Sequence, residues 1–448
     1  MFEQVLGLLW EAALTTEEFF WTYIAAPGLI GLGLYLSIKS RFFQIRQFPA
    51  IVKIFAGFAR QKNTDTAKRG IAPIHAFFAA IGGSIGVGNL VTVGVTLQIG
   101  GPGAVFWMWF AALMGMLVKY SEIYLGVKFR IQNNENSYSG GPMVYLRHVP
   151  HGAFWSTCAA ILMCFYGFEV YLFRAVTHSI SVGWNIHPYV IIPILLFLIV
   201  GVGQGGIKLV GKICSLVIPL FLVVYVGMGC YVIMQNMYMI PGILKNIFAH
   251  AFTPHAAIGA FVGNTVMLAV SHGVRRTCYI SDIGVGYAST MHAETTESIP
   301  AKQASLGVID VFIDSFVVCT MSIMLILISG VWHQGIDPAF MVSTALSQYF
   351  PAVSWIWPLF IFLLGYTTMI AFFAAGRRSA MLLYPKHGAM GYSVFGTVFF
   401  LAFSFFGTQD QCLSVMSIVG SMLLMCNLYG LFWLKDQIVF DVKAHENK

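Results

Sequence analysis

Apolar runs of about 20 residues recur along the whole chain, and they constrain its fold more than any other feature. A run of this length crosses the hydrocarbon core of a bilayer as an α-helix. Only 10% of the residues are charged and 58% are hydrophobic, whereas soluble globular proteins carry about 25% charged residues. Too few charges remain to cover a water-facing surface. The sequence therefore predicts an all-α, polytopic integral membrane protein.

The apolar runs predict about eleven membrane spans. Their approximate ranges are 19–38, 71–98, 102–127, 152–182, 187–204, 208–234, 259–288, 305–330, 353–384, 389–408 and 412–434. The loops on one side carry most of the basic residues, including a cluster in residues 39–70, whereas the opposite loops contain only Lys245. The positive-inside rule then places the N-terminus outside and the C-terminus in the cytoplasm.

The second predicted span is interrupted by glycine. Residues 82–89 read GGSIGVGN, and each glycine weakens a helix by roughly 1 kcal/mol relative to alanine. Gly82-x-Ser84-x-Gly86 matches a hydrolase nucleophile elbow, but that motif needs a strand, a turn and a helix. A phosphate-binding loop needs Gly-Lys-Ser/Thr at its end, and here Asn89 follows the last glycine. Two interpretations remain: close packing of helices through small residues, or a discontinuous helix that binds a ligand.

A second interrupted span favours the discontinuous helix. Span 259–288 contains Arg275, Arg276, Asp282 and further glycines, a set that cannot face lipid. Each interruption opens a group of five spans, and five is odd, so the second group has inverted topology. Broken helices at matching positions of inverted repeats are typical of secondary transporters. The predicted segments are an N-terminal helix with an amphipathic cytoplasmic stretch (1–70), a first repeat (71–234), an external connection (235–258), a second repeat (259–434) and a cytoplasmic tail (435–448).

The block "GGSIGVGNLVTVGVTLQIGGPGAVFWMWFAALMGMLVKYSEIYLGVKFR" at 82–130 resembles the signature of the alanine/glycine:cation symporter family, also called sodium:alanine symporters, within the amino acid–polyamine–organocation superfamily. The stretches "SYSGGPMVYL" at 137–146 and "VFIDSFVVCT" at 311–320 fit the same family. The resemblance implies a leucine-transporter-like fold, built as a 5+5 inverted repeat with one extra N-terminal helix. It also implies import of small neutral amino acids driven by sodium or, less often, by protons.

The chain departs from the family pattern near the second interruption and in the ninth span. Ser281 stands where the family usually has Asn, Asp282 where it has Glu, and Tyr287 where it has Ser. Phe372 replaces a Trp, and Arg377 replaces a Glu. These departures leave the fold more firmly predicted than the substrate.

The predicted substrate site combines both interruptions with the ninth span. Its candidate residues are Gly83, Ser84, Gly86, Gly88, Asn89, Ser281, Asp282 and Phe372. The resemblance implies that Thr367 and Thr368, together with Ser84, hold sodium, with the alternative that both threonines only bond their own helix. No cofactor is expected, and the cysteines lie singly as small core residues. The predicted partners are the amino acid, sodium or a proton, and the lipid of a bacterial plasma membrane.

Several charged residues within the predicted spans have more than one possible role. Glu169 and Arg174 line the pathway or pair elsewhere, and Asp310 and Asp314 form a proton relay or structural pairs. We predict that Lys119 and Glu122 pair with each other, and that Asp282 pairs with Arg275 or Arg276 or contacts substrate.

The leading functional prediction is a sodium-coupled secondary symporter and not an enzyme. The alternatives are a proton-coupled transporter of the same fold, a passive channel and an intramembrane hydrolase that uses Ser84.

Overall fold

The computed structural model is largely helical and describes residues 2–61, 69–133, 137–252, 266–406 and 408–442. Residues 1, 62–68, 134–136, 253–265, 407 and 443–448 lie outside the described residues. They include parts of the predicted amphipathic stretch, external connection, span 259–288 and cytoplasmic tail.

The helices follow the predicted spans closely. In chain order they are α1 (Phe2–Phe20), α2 (Ala26–Lys39), α3 (Phe43–Arg46), α4 (Phe48–Arg60), α5 (Pro73–Ser84), α6 (Gly88–Gly100), α7 (Gly103–Lys128), α8 (Pro142–Tyr145), α9 (Gly152–Tyr166), α10 (Val170–Trp184), α11 (Pro188–Gln204), α12 (Gly206–Gln235), α13 (Ile240–Phe252), α14 (Val266–Ile280), α15 (Tyr287–Ala293), α16 (Pro300–Val311), α17 (Thr320–Ser329), α18 (Met341–Ser347), α19 (Val353–Leu383), α20 (Gly388–Phe406) and α21 (Gln409–Leu434).

Two π-helical segments continue these helices. Trp21–Ala25 joins α1 to α2, and Phe312–Cys319 joins α16 to α17. A two-stranded antiparallel sheet pairs β1 (Ile131–Gln132) with β2 (Tyr138–Ser139) in the loop after α7.

Nine helical stretches in the described part of the chain are long and apolar enough to cross a membrane, and two of them, Pro73–Gly100 and Gly152–Trp184, contain a break. They correspond to nine of the predicted spans. The other two predictions correspond to shorter helices: α11 has 17 residues, and span 259–288 is divided into α14 and α15. The expected set of eleven membrane segments therefore has a helical counterpart at every position.

Three of the spans are broken, and two of these breaks agree with the sequence prediction. α5 ends before residues 85–87, and α14 ends before residues 281–286, where Gly284 and Gly286 have φ of 85° and 80°. The third break separates α9 from α10 at residues 167–169, and the sequence analysis did not predict it. There a Cβ at Gly167 would lie 2.7 Å from the Phe372 carbonyl oxygen, so glycine permits a close approach to α19.

The first broken span lies at the centre of the molecule. Within the most apolar window of Pro73–Gly100, 94% of the residues are buried, against 22% for Gly388–Phe405. α5 packs against α12, α15 and α19, while α7 packs against α14, α15 and α16. The unwound stretches of both repeats therefore face each other inside protein, where non-helical backbone is tolerated at membrane depth.

Two further helices, α4 and α13, lie in the predicted amphipathic stretch and in the predicted external connection. In α4, Ile51 is the buried residue while the basic side chains Lys53 and Arg60 are exposed, as expected for an amphipathic surface segment. α13 shows that the predicted external connection is partly helical.

Candidate substrate and ion site

A small cavity of about 30 Å³ lies where the three breaks meet α19. Its lining residues are Gly83, Ser84, Gly86, Val87, Gly88, Glu169, Leu172, Tyr279, Ile280, Asp282, Thr368 and Phe372. Six of the predicted substrate residues are among them: the three glycines, Ser84, Asp282 and Phe372. The structure thus brings distant parts of the sequence together around one small cavity.

The glycines of the first break allow close approach of neighbouring helices. A Cβ at Gly86 would lie 2.7 Å from the Thr368 hydroxyl oxygen, and one at Gly83 would collide with the Tyr287 ring. Gly88 is different, since a Cβ there would meet its nearest neighbour, Ile280, at 3.4 Å. Gly83 and Gly86 are therefore required by packing, whereas Gly88 leaves space at the cavity.

An aromatic group closes one side of the cavity. The ring of Phe372 stacks on Tyr287 with centroids 4.1 Å apart and meets the edge of Tyr166 at 5.2 Å. The Tyr287 hydroxyl donates to the Ala79 carbonyl at 2.8 Å, which fixes α15 against α5. Tyr287, where the resembling family has Ser, is thus a structural contact between the two repeats.

Asn89 and Ser281 do not line the cavity, although they were predicted to do so. Both are buried and bind Asp314 in the π-helical segment: the Asn89 amide donates to one carboxylate oxygen at 2.5 Å, and the Ser281 hydroxyl donates to the other. The Asn89 side-chain oxygen also accepts from the Gly86 N–H at 3.0 Å. The Asp314 carboxylate therefore fixes the two unwound stretches relative to each other. Asp314 lies in a π-helical segment, and π-helical turns are frequent at functional sites.

Lys119 is the central cation of the site, and the prediction that it pairs with Glu122 is wrong. Its ammonium lies 2.7 Å from the Asp310 carboxylate, and both side chains are fully buried. It also donates to the Ser84 hydroxyl at 2.9 Å and to the Ser281 carbonyl at 2.8 Å. Glu122 instead accepts from the Gly286 N–H at 3.2 Å. Lys119 and Glu122 have different partners because helices from both repeats surround α7.

The two threonines of α19 have different environments. The Thr368 hydroxyl lies 3.1 Å from the Gly82 carbonyl and 3.0 Å from the Leu364 carbonyl, so it faces α5. The Thr367 hydroxyl bonds the Leu363 and Leu364 carbonyls of its own helix. The Ser84 hydroxyl is directed to Lys119. Of the three predicted sodium ligands, Thr368 is the one that adjoins freed carbonyl groups of the first break.

The remaining charged candidates separate into different surroundings. Asp282 accepts from the Tyr166 hydroxyl at 3.3 Å, while Arg275 pairs with Glu17 instead. Arg174 donates to the carbonyls of Phe403 and Ser404, but Glu169 lines the cavity.

Sequence reasoning missed the roles of Lys119, Tyr166, Tyr279 and Tyr287. The first carried a usable signal, because an ionisable residue within an apolar span is a functional-site candidate by default. Tyr166 and Tyr279 carried none, since the chain contains 19 tyrosines and only packing selects these two, whereas Tyr287 was marked by its departure from the family pattern.

The two sides of the cavity differ in access. A vestibule of about 400 Å³, lined by Val87, Tyr171, His178 and Trp357 among others, adjoins it on the α6 side. On the α5 side, the Ile71 N–H donates to the Glu294 carbonyl at 2.9 Å, and Arg378 forms a buried ion pair with the Glu294 carboxylate. Contacts of Glu294 therefore join the segments on the α5 side, whereas on the other side Val87 lines both the vestibule and the cavity.

Comparison with known proteins agrees with this architecture. The family profile described as "Sodium:alanine symporter family" matches residues 8–448.

The chain belongs to the sodium:alanine symporter family.

Several relatives of this symporter are similar over most of their length. The sodium/alanine symporter AgcS of Methanococcus maripaludis is 26% identical over 445 residues, with 96% of each chain covered. The uncharacterized transporter YflA of Bacillus subtilis is 33% identical over 333 residues, which cover 72% of this chain and 69% of YflA. The probable sodium/glutamine symporter GlnT of the same organism is 24% identical, with 95% and 88% covered.

Solved structures show the same fold. The structure of MhsT in complex with L-phenylalanine has a TM-score of 0.59 at 14% identity and covers 80% of this chain and 88% of MhsT. A mutant form of the Eremococcus coleocola manganese transporter has a TM-score of 0.50 at 14% identity and covers 82% of this chain and 77% of that protein. The predicted leucine-transporter-like fold is thereby confirmed. The family and these neighbours are transporters, so the hydrolase interpretation of Ser84 is excluded, and the chain is a multi-span membrane transporter.

Proposed function

We propose that this symporter imports small neutral amino acids together with sodium by alternating access. Alanine and glycine are the leading substrates, with D-alanine and serine as further candidates. One observation carries the proposal: Thr368 lines the cavity, and its hydroxyl also lies 3.1 Å from the freed Gly82 carbonyl. An ion held there would touch the same break that forms the substrate pocket.

The substrate carboxylate would lie at the start of α6. At the start of α6, the N–H groups of Asn89 and Leu90 donate to the Gly86 and Val87 carbonyls, so the N–H groups of Val87 and Gly88 and the helix dipole would bind the anion. Val87 and Gly88 both line the cavity at this point. The cavity is small, at about 30 Å³, which supports a short side chain over a bulky one.

Sodium would be held by neutral oxygen atoms between α5 and α19. The carbonyl oxygens of Gly82 and Leu364 lie 3.1 Å and 3.0 Å from the hydroxyl oxygen of Thr368. Hard cations prefer such ligands. An ion bound to both helices would stabilise the arrangement that also forms the substrate pocket, and this is the coupling that symport requires.

Proton coupling is a second candidate, because this part of the chain also contains buried carboxylates. Asp310, Asp314 and Glu169 are 0%, 0% and 3% exposed. A proton on Asp310 would alter the contacts of Lys119, and one on Asp314 would alter its contacts with Asn89 and Ser281. A proton on Glu169 would change the charge of the cavity.

The test is uptake into proteoliposomes that contain the purified protein. We expect counterflow of labelled alanine and glycine in sodium buffer, and uphill accumulation on an imposed sodium gradient. Accumulation on a pH gradient alone, in sodium-free buffer, would show that protons and not sodium drive transport. Equilibration without accumulation under either gradient would instead indicate a passive channel.

We further propose that the protein lies in a bacterial plasma membrane with its N-terminus outside and its C-terminus in the cytoplasm. This orientation rests on the basic residues in and around α4 and on the positive-inside rule. Impermeant thiol reagents should label a cysteine placed at Lys245 in intact cells but not one placed at Lys53. The reverse pattern would invert the topology.

A further inference from the structure

An apolar groove of about 500 Å³ lies between α2 and α21. Among the described residues, it shares no lining residue with the substrate cavity or with the vestibule. We call it the α2–α21 groove, and the residues of its lining that matter below are Gly28, Gly31, Tyr35, Leu428, Phe432 and Lys435.

The α2–α21 groove exists because its two helices pack mainly on other elements. α2 packs on α7, whereas α21 packs on α9 and α10. A Cβ at Gly31 would meet nothing within 4 Å, and one at Gly28 would make an ordinary contact with Leu428 at 3.5 Å. Close helix packing therefore does not require Gly31, and its missing side chain widens the groove.

The α2–α21 groove opens toward the surface that faces the membrane lipid. Its rim includes the exposed apolar side chains of Ile24, Met425 and Phe432. An empty apolar gap forfeits the dispersion contacts of its walls, and the material of a bilayer that can fill it is an acyl chain. From Met425 to Lys435 the groove extends over about 15 Å at the helical rise per residue, which is the depth of one leaflet of a hydrocarbon core about 30 Å thick.

One end of the groove carries a net positive charge. The Lys435 ammonium lies 3.7 Å from the centroid of the Phe432 ring and 5.8 Å from that of Tyr35. The Lys39 ammonium lies 5.9 Å from the Tyr35 centroid and pairs with Asp436 at 2.6 Å. Two lysines and one aspartate leave one positive charge directly beyond the ends of two membrane helices, and such a charge attracts an anionic lipid headgroup.

Both walls of the groove also touch the second break of the transporter. The buried side chains of Leu29 on α2 and Leu424 on α21 lie beside Gly284, where an added Cβ would collide with Leu424 and lie 3.3 Å from Leu29. The Asn427 amide of α21 donates to the Gly284 carbonyl at 2.8 Å. A ligand that joins α2 to α21 would therefore stabilise this unwound stretch.

We propose that the α2–α21 groove binds one anionic phospholipid, with an acyl chain along Gly31 and the phosphate group at Lys435. The lipid belongs to the leaflet on the side of the C-terminal tail, and it supports the second break by joining the two helices. A second copy of the chain fits this groove less well. A two-fold contact places identical surfaces together, so the positive ends of both grooves would meet at the same level of the membrane.

The experiment titrates the purified protein in detergent with dioleoylphosphatidylglycerol or dioleoylphosphatidylcholine, which share their acyl chains and differ in net charge. Native mass spectrometry gives the dissociation constant of the first bound lipid and the number of protein copies in each particle. The wild type should bind phosphatidylglycerol about fivefold more tightly than phosphatidylcholine, the effect of roughly one lysine beside an anionic headgroup.

Gly31→Leu tests the acyl-chain part of the groove. It should weaken binding of both lipids at least about fivefold, because its side chain occupies the volume that the acyl chain needs. The fold should tolerate it, since a Cβ at this position meets nothing within 4 Å. Gly227→Leu in α12 is the matched control, because a Cβ there also meets nothing within 4 Å, and it should bind both lipids like the wild type.

Lys435→Gln tests the headgroup part and remains informative should Gly31→Leu fail to fold. It should abolish the preference for phosphatidylglycerol and retain binding of phosphatidylcholine. Asp436→Asn adds one net positive charge and should increase the preference about fivefold. Lys386→Gln, at an exposed lysine between α19 and α20, is the control and should keep the wild-type preference.

Equal binding of the two lipids by the wild type would overturn the proposal, and so would unchanged binding in both Gly31→Leu and Lys435→Gln. A wild-type dimer that Gly31→Leu separates, without a preference between the lipids, would assign the groove to a second copy and would also overturn it. These measurements do not require transport, so their outcome is independent of the test of the proposed function.

Discussion

Gly86 and Gly88 occupy the same break but tolerate a side chain differently. A Cβ at Gly86 would lie 2.7 Å from the Thr368 hydroxyl, whereas one at Gly88 would make ordinary contacts at 3.4 Å or more. We therefore expect Gly86→Ala to reduce alanine uptake about tenfold, since overpacking of this kind costs about 1–3 kcal/mol. Gly88→Ala should instead raise the alanine concentration for half-maximal uptake, because its methyl group enters the cavity, and Gly86→Leu should abolish uptake.

The measurement for this pair is initial uptake normalised to the amount of protein in the membrane. Gly227→Ala in α12, where an added Cβ would meet nothing within 4 Å, is the control for the general effect of a methyl group on a membrane helix. Normal uptake by Gly86→Leu would show that the break is not the site.

Thr368 and Thr367 form a second matched pair at the residue scale. The Thr368 hydroxyl meets α5, whereas the Thr367 hydroxyl bonds only carbonyls of its own helix. Thr368→Val keeps the shape of the side chain and removes one oxygen atom. It should therefore raise the sodium concentration for half-maximal uptake about tenfold, which is the effect expected from the loss of one contact to a charged group. At saturating sodium, the apparent affinity for alanine should change much less.

Thr367→Val is the control and should leave the sodium dependence close to that of the wild type. If Thr367→Val weakens the sodium dependence more than Thr368→Val does, the ion lies elsewhere on α19.

At the scale of elements, Lys119 of α7 joins both broken spans. Its ammonium contacts the hydroxyl of Ser84 at the end of α5, the carbonyl of Ser281 at the end of α14, and Asp310 of α16. A charge this deeply buried is stable only with a partner and further hydrogen bonds. The same ammonium therefore fixes the spacing of the two unwound stretches around the cavity.

Lys119→Met should destabilise the protein by about 3–5 kcal/mol, because it leaves Asp310 buried and uncompensated. The double variant Lys119→Met/Asp310→Asn removes both charges and should recover much of that loss. Transport should stay low in both variants, since the link between the breaks is absent. Thermal unfolding in detergent gives the stabilities, and strictly additive effects of the two substitutions would contradict the pairing.

At the scale of the whole molecule, the contacts around Glu294 hold one side of the transporter closed. Glu294 pairs with Arg378 of α19, and both side chains are buried, at 4% and 5% exposed. Its backbone carbonyl accepts from Ile71 just before α5. Glu294 thus connects the first broken span, the second broken span and α19, and the alternating access proposed above would require these contacts to open.

Arg378→Glu should lower uptake at least about tenfold, because like charges then face each other in a buried position. Exchanging both charges, Arg378→Glu with Glu294→Arg, should restore part of the uptake. A cysteine placed at Ser289 of α15 should react faster with a thiol reagent in Arg378→Glu than in the wild type. A charge exchange that is no better than the single variant would show that the pair does not close this side.

Local properties of the sequence were sufficient to predict the spans and two of the three breaks. Membrane insertion depends on the apolar length of each segment, and helix interruption depends on glycine, so both can be read without knowing the neighbours. The residues of the first break that line the cavity, as well as Asp282 and Phe372, could be named for the same reason or through the family resemblance.

Only the tertiary structure decided the partners of the polar side chains. Lys119 pairs with Asp310 and not with Glu122, Asn89 and Ser281 meet at Asp314, and Glu169 reaches the cavity from a third break. These contacts join residues that lie far apart in the chain and on different helical segments. The rotation and tilt of each helix are set by packing against its neighbours, and sequence periodicity along one helix contains no information about which foreign side chain faces it.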